Sequence, residues 1–254
     1  MAEHFIEFRH VTKSFDDLLV LDDVSFTVDR AETCVILGRS GVGKSVSLKH
    51  MLGFLKPDAG EVWVAGEEIT GWNEEQLTAI RKRVAMVFQS GALFDSLTVR
   101  DNVAFPLEER KSLDQSVIDR RVDELLEMLE VSEYADRLPA DLSTGMKRAV
   151  AIARVLAQDP EAILYDEPTT MVDPIMAGHM GDLIRKLKDT FHKTSVVVTH
   201  DTHLAKKLAD RVVFLHQGRV AYFGPWAEFE ATRDPFQRNF LLQDALVPAL
   251  DQSV

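Results

Sequence analysis

An eight-residue stretch, GRSGVGKS at positions 38–45, has the composition of a phosphate-binding loop. Glycines let backbone N–H groups converge on phosphate oxygens, and a helix that begins directly after the loop adds the positive end of its dipole. The apolar run TCVIL precedes the stretch, and Leu48, Met51 and Leu52 follow it at helical spacing. A glycine-rich turn with a solvated lysine is the alternative, but the flanking strand and helix favour a phosphate loop.

The polar residues of this loop have distinct predicted roles. We expect Lys44 to bridge the β- and γ-phosphates of ATP and the Ser45 hydroxyl to bind Mg²⁺. ATP and Mg²⁺ are therefore the expected cofactors. The predicted nucleotide-binding residues of the loop are Gly38, Arg39, Ser40, Gly41, Val42, Gly43, Lys44 and Ser45.

Two carboxylates follow the apolar run of AILYDEP, residues 162–168. Asp166 is the predicted acid on the Mg²⁺ side, and Glu167 is placed to accept a proton from attacking water. An apolar run followed by two acids is more often a strand that enters a solvated turn. The phosphate loop elsewhere in the chain favours the catalytic interpretation.

The segment LSTGMKRAVAIAR, residues 142–154, predicts a capped helix with an anion site at its start. Ser143 is a good N-cap, and the free N–H groups at Gly145 and its neighbours attract negative charge. An ordinary capped amphipathic helix is the alternative. Ser143, Thr144 and Gly145 are the residues predicted to contact nucleotide here.

With the phosphate loop and the acidic pair, this segment resembles the signature motif of ABC-transporter ATPases, and the resemblance extends over nearly the whole chain. It implies a head-to-tail homodimer in which the signature meets the γ-phosphate held by a second copy. Thr144 stands where the family has its first signature glycine, and Met146 replaces the usual glutamine. We expect the β-branched Thr144 to alter nucleotide affinity or turnover without removing the N–H donors.

Further residues match the family in its usual order. The resemblance implies that Gln89 senses Mg²⁺ and water, that His200 contacts the γ-phosphate, and that Phe15 stacks on adenine. Asp173 matches the D-loop aspartate, although MVD replaces the usual GLD before it. The implied catalytic residues are therefore Glu167, His200 and Gln89, and the implied Mg²⁺ ligands are Ser45, Gln89 and Asp166.

An apolar loop raises a separate question, because FQSGALFDSLTVRDNVAFPL at residues 88–107 exposes Leu93, Phe94 and Leu97 where polar groups are usual. TVRD resembles a helix-start capping box, and we expect Pro106 to limit the helix that follows. An apolar surface rimmed by polar residues fits a partner site. The resemblance implies that this partner is a membrane permease; sealing of the loop onto the core is the alternative for Leu93 and Phe94.

Three stretches, SGALFDSLTVRDNVAFPL, LSTGMKR and DEPTTMVDPI, are similar to the ATPases of Mce-type lipid transporters, the Mla family, which moves phospholipid between the membranes of Gram-negative bacteria. This similarity implies a complex of two ATPases, two permeases and a periplasmic Mce-type lipid-binding ring, with a STAS-domain protein as a further partner. It also implies a place on the cytoplasmic face of the inner membrane. The tail DPFQRNFLL resembles the C-terminal extension of that family.

Other functions stay open at this point. One is the ATPase of an amino-acid or other small-solute importer. Another is a non-transport regulatory ABC protein with negligible hydrolysis, a hypothesis that the unusual Thr144 in the signature keeps open. An ABC protein acting on ribosomes or DNA would usually have two cassettes or a long coiled coil, and this chain has neither.

Composition narrows the classes of partner. The 254 residues include 29 Lys and Arg against 41 Asp and Glu, a net charge of −12, which disfavours nucleic acid as a partner. The single Cys34 suits a reducing compartment. No apolar run approaches the roughly 18 residues of a spanning helix, and the first ten residues lack the layout of a signal peptide.

Hydrophobic patterning predicts the elements that must position these groups. Alternating apolar residues in the first sixty or so positions indicate an antiparallel layer, whereas continuous runs predict buried parallel strands at 33–37, 84–88, 162–165, 195–199 and 212–215. Apolar residues recur at helical spacing over 113–131 and again from Ser143 to the QDP sequence at 158–160, which predicts two amphipathic helices. The expected fold is α/β, a P-loop NTPase (RecA-like) core with an antiparallel β subdomain and a helical signature subdomain. We expect one ABC nucleotide-binding domain over 1–224, with its helical part at about 90–150, and a C-terminal extension over 225–254.

Overall fold

Ten strands form two sheets in the computed structural model, which describes residues 4–109, 113–172 and 174–250, with side chains as far as residue 242. Within those ranges the strands are β1 (Ile6–Phe15), β2 (Leu18–Val28), β3 (Thr33–Leu37), β4 (Ala59–Val64), β5 (Glu67–Glu68), β6 (Val84–Val87), β7 (Ala162–Asp166), β8 (Thr194–Thr199), β9 (Arg211–His216) and β10 (Arg219–Pro225).

The central sheet has the order β10-β9-β3-β8-β7-β6, in which only β10 pairs antiparallel with its neighbour. The five continuous apolar runs in the sequence form its five parallel strands, so this part of the prediction is confirmed. Nearly all of their residues are buried, as expected for strands covered on both faces. Ligand sites of such sheets lie at the carboxyl ends of the strands.

The antiparallel layer predicted near the start of the chain is the second sheet, ordered β2-β1-β4-β5. Its inward residues include Ile6 and Phe8, and Phe8 stacks on Phe26 with ring centroids 4.7 Å apart. The same hydrophobic cluster includes Ile36 of β3, so the small sheet covers one face of the central sheet. This packing confirms the predicted α/β architecture with its antiparallel subdomain.

Nine α-helices lie within the described residues. They are α1 (Lys44–Met51), α2 (Glu74–Arg83), α3 (Val99–Glu108), α4 (Gln115–Met128), α5 (Thr144–Ala157), α6 (Pro174–Phe191), α7 (Thr202–Leu208), α8 (Trp226–Glu230) and α9 (Pro235–Leu250). Two 3₁₀ turns, Ser132–Tyr134 and Pro139–Asp141, separate α4 from α5. Over the described residues, none of these helices combines the length and the apolar character that crossing a bilayer requires.

Helices α3, α4 and α5 pack against one another as a helical subdomain, and its predicted range of about 90–150 stays a prediction. Helix α4 buries Ile118, Val122 and Leu125 at helical spacing, and its bounds lie within the predicted 113–131. The capping box predicted from TVRD is present, since Thr98 Oγ1 accepts a hydrogen bond from Asp101 N–H. The expectation that Pro106 limits α3 is wrong, because the helix continues to Glu108. Only two residues follow the proline, so the lost N–H weakens no more than the last turn.

The segment after β10 packs against the main core. Trp226, Phe229 and Phe240 belong to the same hydrophobic cluster as Phe214 of β9, and the Phe214 and Phe240 rings lie 4.8 Å apart. These contacts make the first part of the expected C-terminal extension a part of the hydrophobic core. The domain boundary between residues 224 and 225 stays a prediction.

Glu161, just before the start of β7, joins two arginines at the amino end of that strand. Arg83 Nε lies 2.5 Å from Glu161 Oε1, and Arg30 Nη1 lies 3.1 Å from Glu161 Oε2. The hydrogen bond from Arg83 holds the pKa of Glu161 below its ordinary value of 4.5. This carboxylate therefore contributes stability above its unfolded-state pKa, and the contribution is lost as the pH falls through the lower folded-state pKa.

We expect Glu161→Gln to reduce the free energy of unfolding at neutral pH by no more than about 1 kcal/mol, because the ion pairs are partly exposed. The difference from the parent protein should shrink below the ordinary pKa of 4.5. Urea unfolding of both proteins at a series of pH values measures it. A difference that does not change with pH would contradict the assignment to the ionised carboxylate.

Candidate nucleotide site

The predicted phosphate loop connects the carboxyl end of β3 to the start of α1. Gly41 and Gly43 have φ values of 82° and 102°, which are unfavourable for residues with a side chain. A Cβ atom at Gly43 would lie 2.6 Å from Leu21 Cδ2 and 3.0 Å from Val20 O. The backbone path of the loop therefore requires glycine at this position.

A pocket of about 670 Å³ opens over this loop, the size of a site for a small organic ligand. Of the predicted site residues, it is lined by Phe15, Arg39, Ser40, Gly41, Gly43, Lys44, Ser45, Gln89, Glu167 and His200. Segments that are remote in sequence thus come together at the carboxyl edge of the central sheet. Gly38 and Val42 lie in the loop without lining the pocket, and Asp173 falls outside the described residues.

Lys44 is buried at the floor of the pocket, with 6% of its side chain exposed. Its ammonium group donates to Gly38 O at 2.8 Å and to Arg39 O at 3.1 Å, and it lies 3.2 Å from Glu167 Oε1. The lysine charge therefore lies between the phosphate loop and the carboxylate predicted to activate water. A phosphate group entering the loop would meet both the backbone and this charge.

Ser45 and Asp166 are in direct contact, since Ser45 Oγ donates to Asp166 Oδ1 at 2.7 Å. Burial raises the pKa of Asp166, and the neighbouring charge of Glu167 adds to the increase, whereas the Ser45 hydrogen bond opposes it. A nearby cation would stabilise the ionised carboxylate. A hydroxyl beside a carboxylate provides hard oxygen donors of the kind that Mg²⁺ prefers, so the donor set fits the predicted ion.

Glu167 has a left-handed backbone conformation, with φ of 48°, which costs of order 1–3 kcal/mol for a residue with a side chain. Its Oε2 lies 3.0 Å from His200 Nδ1 and accepts a hydrogen bond from Thr170 Oγ1 at 3.1 Å. Its own N–H donates to Val198 O at 2.9 Å, which joins the turn to β8. The strained conformation is held by contacts on three sides.

The pKa values of the two adjacent carboxylates shift in opposite directions. Burial alone would raise the pKa of Glu167, but the His200 hydrogen bond and the Lys44 charge outweigh it and hold that pKa below its ordinary value. Asp166 shifts upward. Such a divergence gives two neighbouring acids separate tasks. Glu167 is ionised at neutral pH and is able to accept a proton.

The signature residues lie at the start of α5, where Ser143 and Thr144 are exposed and Gly145 is buried. Ser143 caps this helix, since its Oγ accepts from Met146 N–H at 3.3 Å, and Thr144 is exposed. Ser143, Thr144 and Gly145 do not line the pocket of their own chain. The structure therefore places the predicted signature apart from the phosphate loop within a single chain.

The apolar loop divides into a buried part and an exposed part. Leu93 packs against the core, whereas Phe94 is 44% exposed and lies 4.8 Å from Phe105, with the Arg154 guanidinium 5.2 Å from its ring. Leu97 is half-buried. Phe94, Phe105 and Arg154 line a groove of about 610 Å³ on the surface of the helical subdomain.

Four residues that line the pocket were not predicted from the sequence. Thr170 hydrogen-bonds to Glu167, and its position three residues after that carboxylate was an available signal. Val20 and Val46 adjoin predicted site residues but have no chemistry of their own to mark them. Phe240 reaches the pocket from α9, and no local pattern connects it to the phosphate loop.

The ABC transporter family model matches residues 21–170. The chain is 39% identical over 256 residues to the chloroplastic protein TRIGALACTOSYLDIACYLGLYCEROL 3 of Arabidopsis thaliana, covering 94% of this chain and 74% of that protein. It is 36% identical over 247 residues to the intermembrane phospholipid transport system ATP-binding protein MlaF of Escherichia coli K12, covering 96% and 92%. It is also 36% identical over 252 residues to the methionine import ATP-binding protein MetN of Bifidobacterium longum, covering 95% of this chain but 62% of MetN.

A solved structure has the same fold. The dimeric post-hydrolysis state of the ATP-binding cassette MJ0796, bound to ADP and Pi, superposes with a TM-score of 0.78 at 32% identity, covering 87% of this chain and 98% of that one. The likeness establishes the P-loop NTPase fold of the cassette type.

Proposed function

The chain belongs to the ABC transporter family and is an ATP-hydrolysing subunit, and from that premise we propose that it powers the movement of phospholipid between bacterial membranes. The observation that carries the lipid substrate is the similarity to MlaF, which extends over 92% of that protein. Assignment to the hydrolytic reaction comes from the pocket that joins Lys44, Glu167 and His200.

We assign the phosphate loop to the triphosphate of ATP, with Lys44 against the β- and γ-phosphates. Phe15 lies at the pocket wall beside Val20 and is proposed to stack on adenine. Mg²⁺ would be held by Ser45, Asp166 and Gln89, and when bound it neutralises charge on the transferred phosphoryl group. The contact between Ser45 and Asp166 supports this arrangement.

Glu167 is the proposed proton acceptor for the attacking water. Its lowered pKa keeps the carboxylate ionised, and His200 and Thr170 hold its Oε2. His200 is further proposed to contact the γ-phosphate, and Gln89 to sense the ion and the water. Positioning of these groups about one phosphate is the main catalytic contribution that a protein makes to phosphoryl transfer.

A second copy of the chain would complete the site. Ser143, Thr144 and Gly145 do not line their own pocket, and as a capped helix start they are suited to a phosphate held by another protomer. The dimeric form of MJ0796 supports this arrangement. Asp173 lies outside the described residues, and its role as the D-loop aspartate stays a prediction. The nucleotide-binding domain would extend over 1–224, followed by the extension 225–254.

The groove at Phe94 is the proposed docking site for a membrane permease, and Leu93 and Leu97 of the same loop are proposed to lie near it. The remaining partners are a Mce-type lipid-binding protein and a STAS-domain protein, proposed from the similarity to MlaF. This assembly would place the chain at the cytoplasmic face of the inner membrane.

A small-solute importer is the second candidate, because MetN is as similar in identity as MlaF. A regulatory ABC protein with little turnover remains a further alternative because of Thr144. Purification of the native membrane complex through a tag on the full chain, with mass spectrometry of its subunits and lipids, separates the two transport functions, and the turnover of the same complex tests the regulatory alternative. A Mce-type subunit with bound phospholipid supports lipid transport; a permease with a solute-binding protein and no Mce subunit contradicts it.

Phe94→Ala should weaken binding to the permease by roughly tenfold or more, because a partly exposed aromatic next to an arginine has the character of an interface hot spot. The matched control is Phe54→Ala, since Phe54 is 48% exposed, has the Arg81 guanidinium 4.5 Å from its ring and does not line the Phe94 groove. Copurification from detergent-solubilised membranes measures the effect. Equal yields of permease with both variants would exclude the Phe94 groove as the docking site.

A further inference from the structure

Arg148 is a buried arginine on the helix that begins with the signature. It lies four residues after Thr144 on α5, and 3% of it is exposed. Its neighbours on the helix, Ala149 and Val150, are buried apolar residues. A buried guanidinium in such surroundings costs free energy unless polar groups compensate it.

The Arg148 guanidinium donates to backbone carbonyls of two separate segments. Nη1 donates to Pro168 O at 2.5 Å, and Nη2 donates to Thr170 O and, at 3.4 Å, to Gln89 O. One side chain therefore connects the start of α5 to the turn after β7 and also to Gln89, which lies two residues after the end of β6. Among the described residues, its Nε has no hydrogen-bond partner.

The turn that Arg148 contacts determines the position of the catalytic carboxylate. Pro168 directly follows Glu167, whose φ is 48°, and Thr170 lies three residues after it. Thr170 N–H donates to Glu167 O at 3.2 Å, and Thr170 Oγ1 donates to Glu167 Oε2 at 3.1 Å. Fixing the Thr170 carbonyl therefore fixes the residue that orients the Glu167 side chain.

Contacts of this kind suit arginine in particular. Its planar fork donates in several fixed directions at once, whereas the lysine ammonium is a single point on a flexible stem. Burial lowers the pKa of Arg148 from its ordinary value, so burial opposes the charge of its guanidinium. An apolar side chain would meet the packing requirement, but it would leave the carbonyls of the turn without their donor.

We propose that Arg148 is a positioning residue for ATP hydrolysis: it holds the turn of Glu167 and the backbone of Gln89 against the helix that carries Ser143 and Thr144. The inference rests on the role proposed for Glu167. In a dimer it would connect each chain's own water-activating group to the signature that the same chain presents to its partner. The two half-sites would then respond to nucleotide together.

The test compares Arg148→Lys and Arg148→Met with the parent protein in the native membrane complex. We expect Arg148→Met to lower kcat by about a hundredfold, the size of effect produced by misplacing a catalytic group by about 1 Å. The affinity for ATP should change by less than about threefold, because Arg148 itself does not line the nucleotide pocket. Arg148→Lys should recover only part of kcat, because it keeps the charge without the fork.

Arg100→Lys, at an exposed ion pair with Asp123 in the same subdomain, is the control and should match the parent.

Two further measurements distinguish positioning from a general structural role. Release of the turn would misplace the Glu167 carboxylate without removing the phosphate loop, so kcat should fall in Arg148→Lys while the KM for ATP stays close to that of the parent protein. In a Glu167→Gln background, Arg148→Lys should cause little further loss, because both changes remove the same function. Should Arg148→Met fail to fold, Arg148→Lys supplies these measurements.

The outcomes separate the inference from its premise. Full hydrolysis by Glu167→Gln would overturn the role of Glu167 itself. Loss of hydrolysis by Glu167→Gln with a normal kcat in Arg148→Lys would overturn only the positioning role. Parallel falls in kcat, ATP affinity and melting temperature would identify Arg148 as a structural residue and contradict the proposal.

Discussion

Replacing Glu167 with glutamine is expected to lower the rate of ATP hydrolysis by about a thousandfold, within the range for removal of a general base. Glutamine has the same shape and is able to keep the contacts with Thr170 and His200, but it is not able to accept a proton from water. ATP binding and the proposed dimerisation should therefore persist. Steady-state phosphate release and equilibrium binding of ATP, both measured on the purified complex, provide the comparison.

The control for this variant is Glu133→Gln, which changes an exposed glutamate in the 3₁₀ turn after α4. It removes one negative charge without touching the pocket and should leave hydrolysis unchanged. Hydrolysis by Glu167→Gln at the parental rate would remove Glu167 as the base. Loss of ATP binding together with turnover would instead assign Glu167 to nucleotide affinity.

Replacing Lys44 with alanine is expected to weaken ATP binding by about a hundredfold, because a hydrogen bond to a charged group contributes about 1.5–3 kcal/mol. The change removes the ammonium group that donates to the loop carbonyls Gly38 O and Arg39 O. It also removes the charge 3.2 Å from Glu167 Oε1, so the pKa of Glu167 should rise toward its ordinary value. Titration of the protein with a fluorescent ATP analogue measures the affinity.

Lys56→Ala is the matched control, since this exposed lysine lies outside the pocket. Its affinity for the analogue should equal that of the parent. Lys44→Ala and Glu167→Gln are thus expected to fail at different steps, the first at binding and the second at turnover. Unchanged affinity in Lys44→Ala would contradict the assignment of the loop to phosphate.

The core strands were predictable because each is a short, continuous apolar run that only a sheet covered on both faces accommodates. The amphipathic pattern of α4 and the cap at Ser143 were equally local signals. The end of α3 was not, because a proline near the end of a helix removes a single N–H and packing against α5 decides whether the turn persists. The sequence likewise did not show which apolar residues of the Phe94 loop are exposed. In the structure Leu93 packs against the core, whereas Phe94 faces solvent.

By itself the sequence determined which chemical groups this protein has and the order of the elements that carry them. The phosphate loop, the two carboxylates and the capped signature helix are each contiguous, so their residue types and spacing are sufficient to identify them. Only the tertiary structure decided which groups meet: Glu167 with His200 and Lys44, and Arg148 with the carbonyls of Pro168 and Thr170. These contacts join segments that are far apart in the chain, and their geometry depends on how strands and helices pack, which no local pattern encodes.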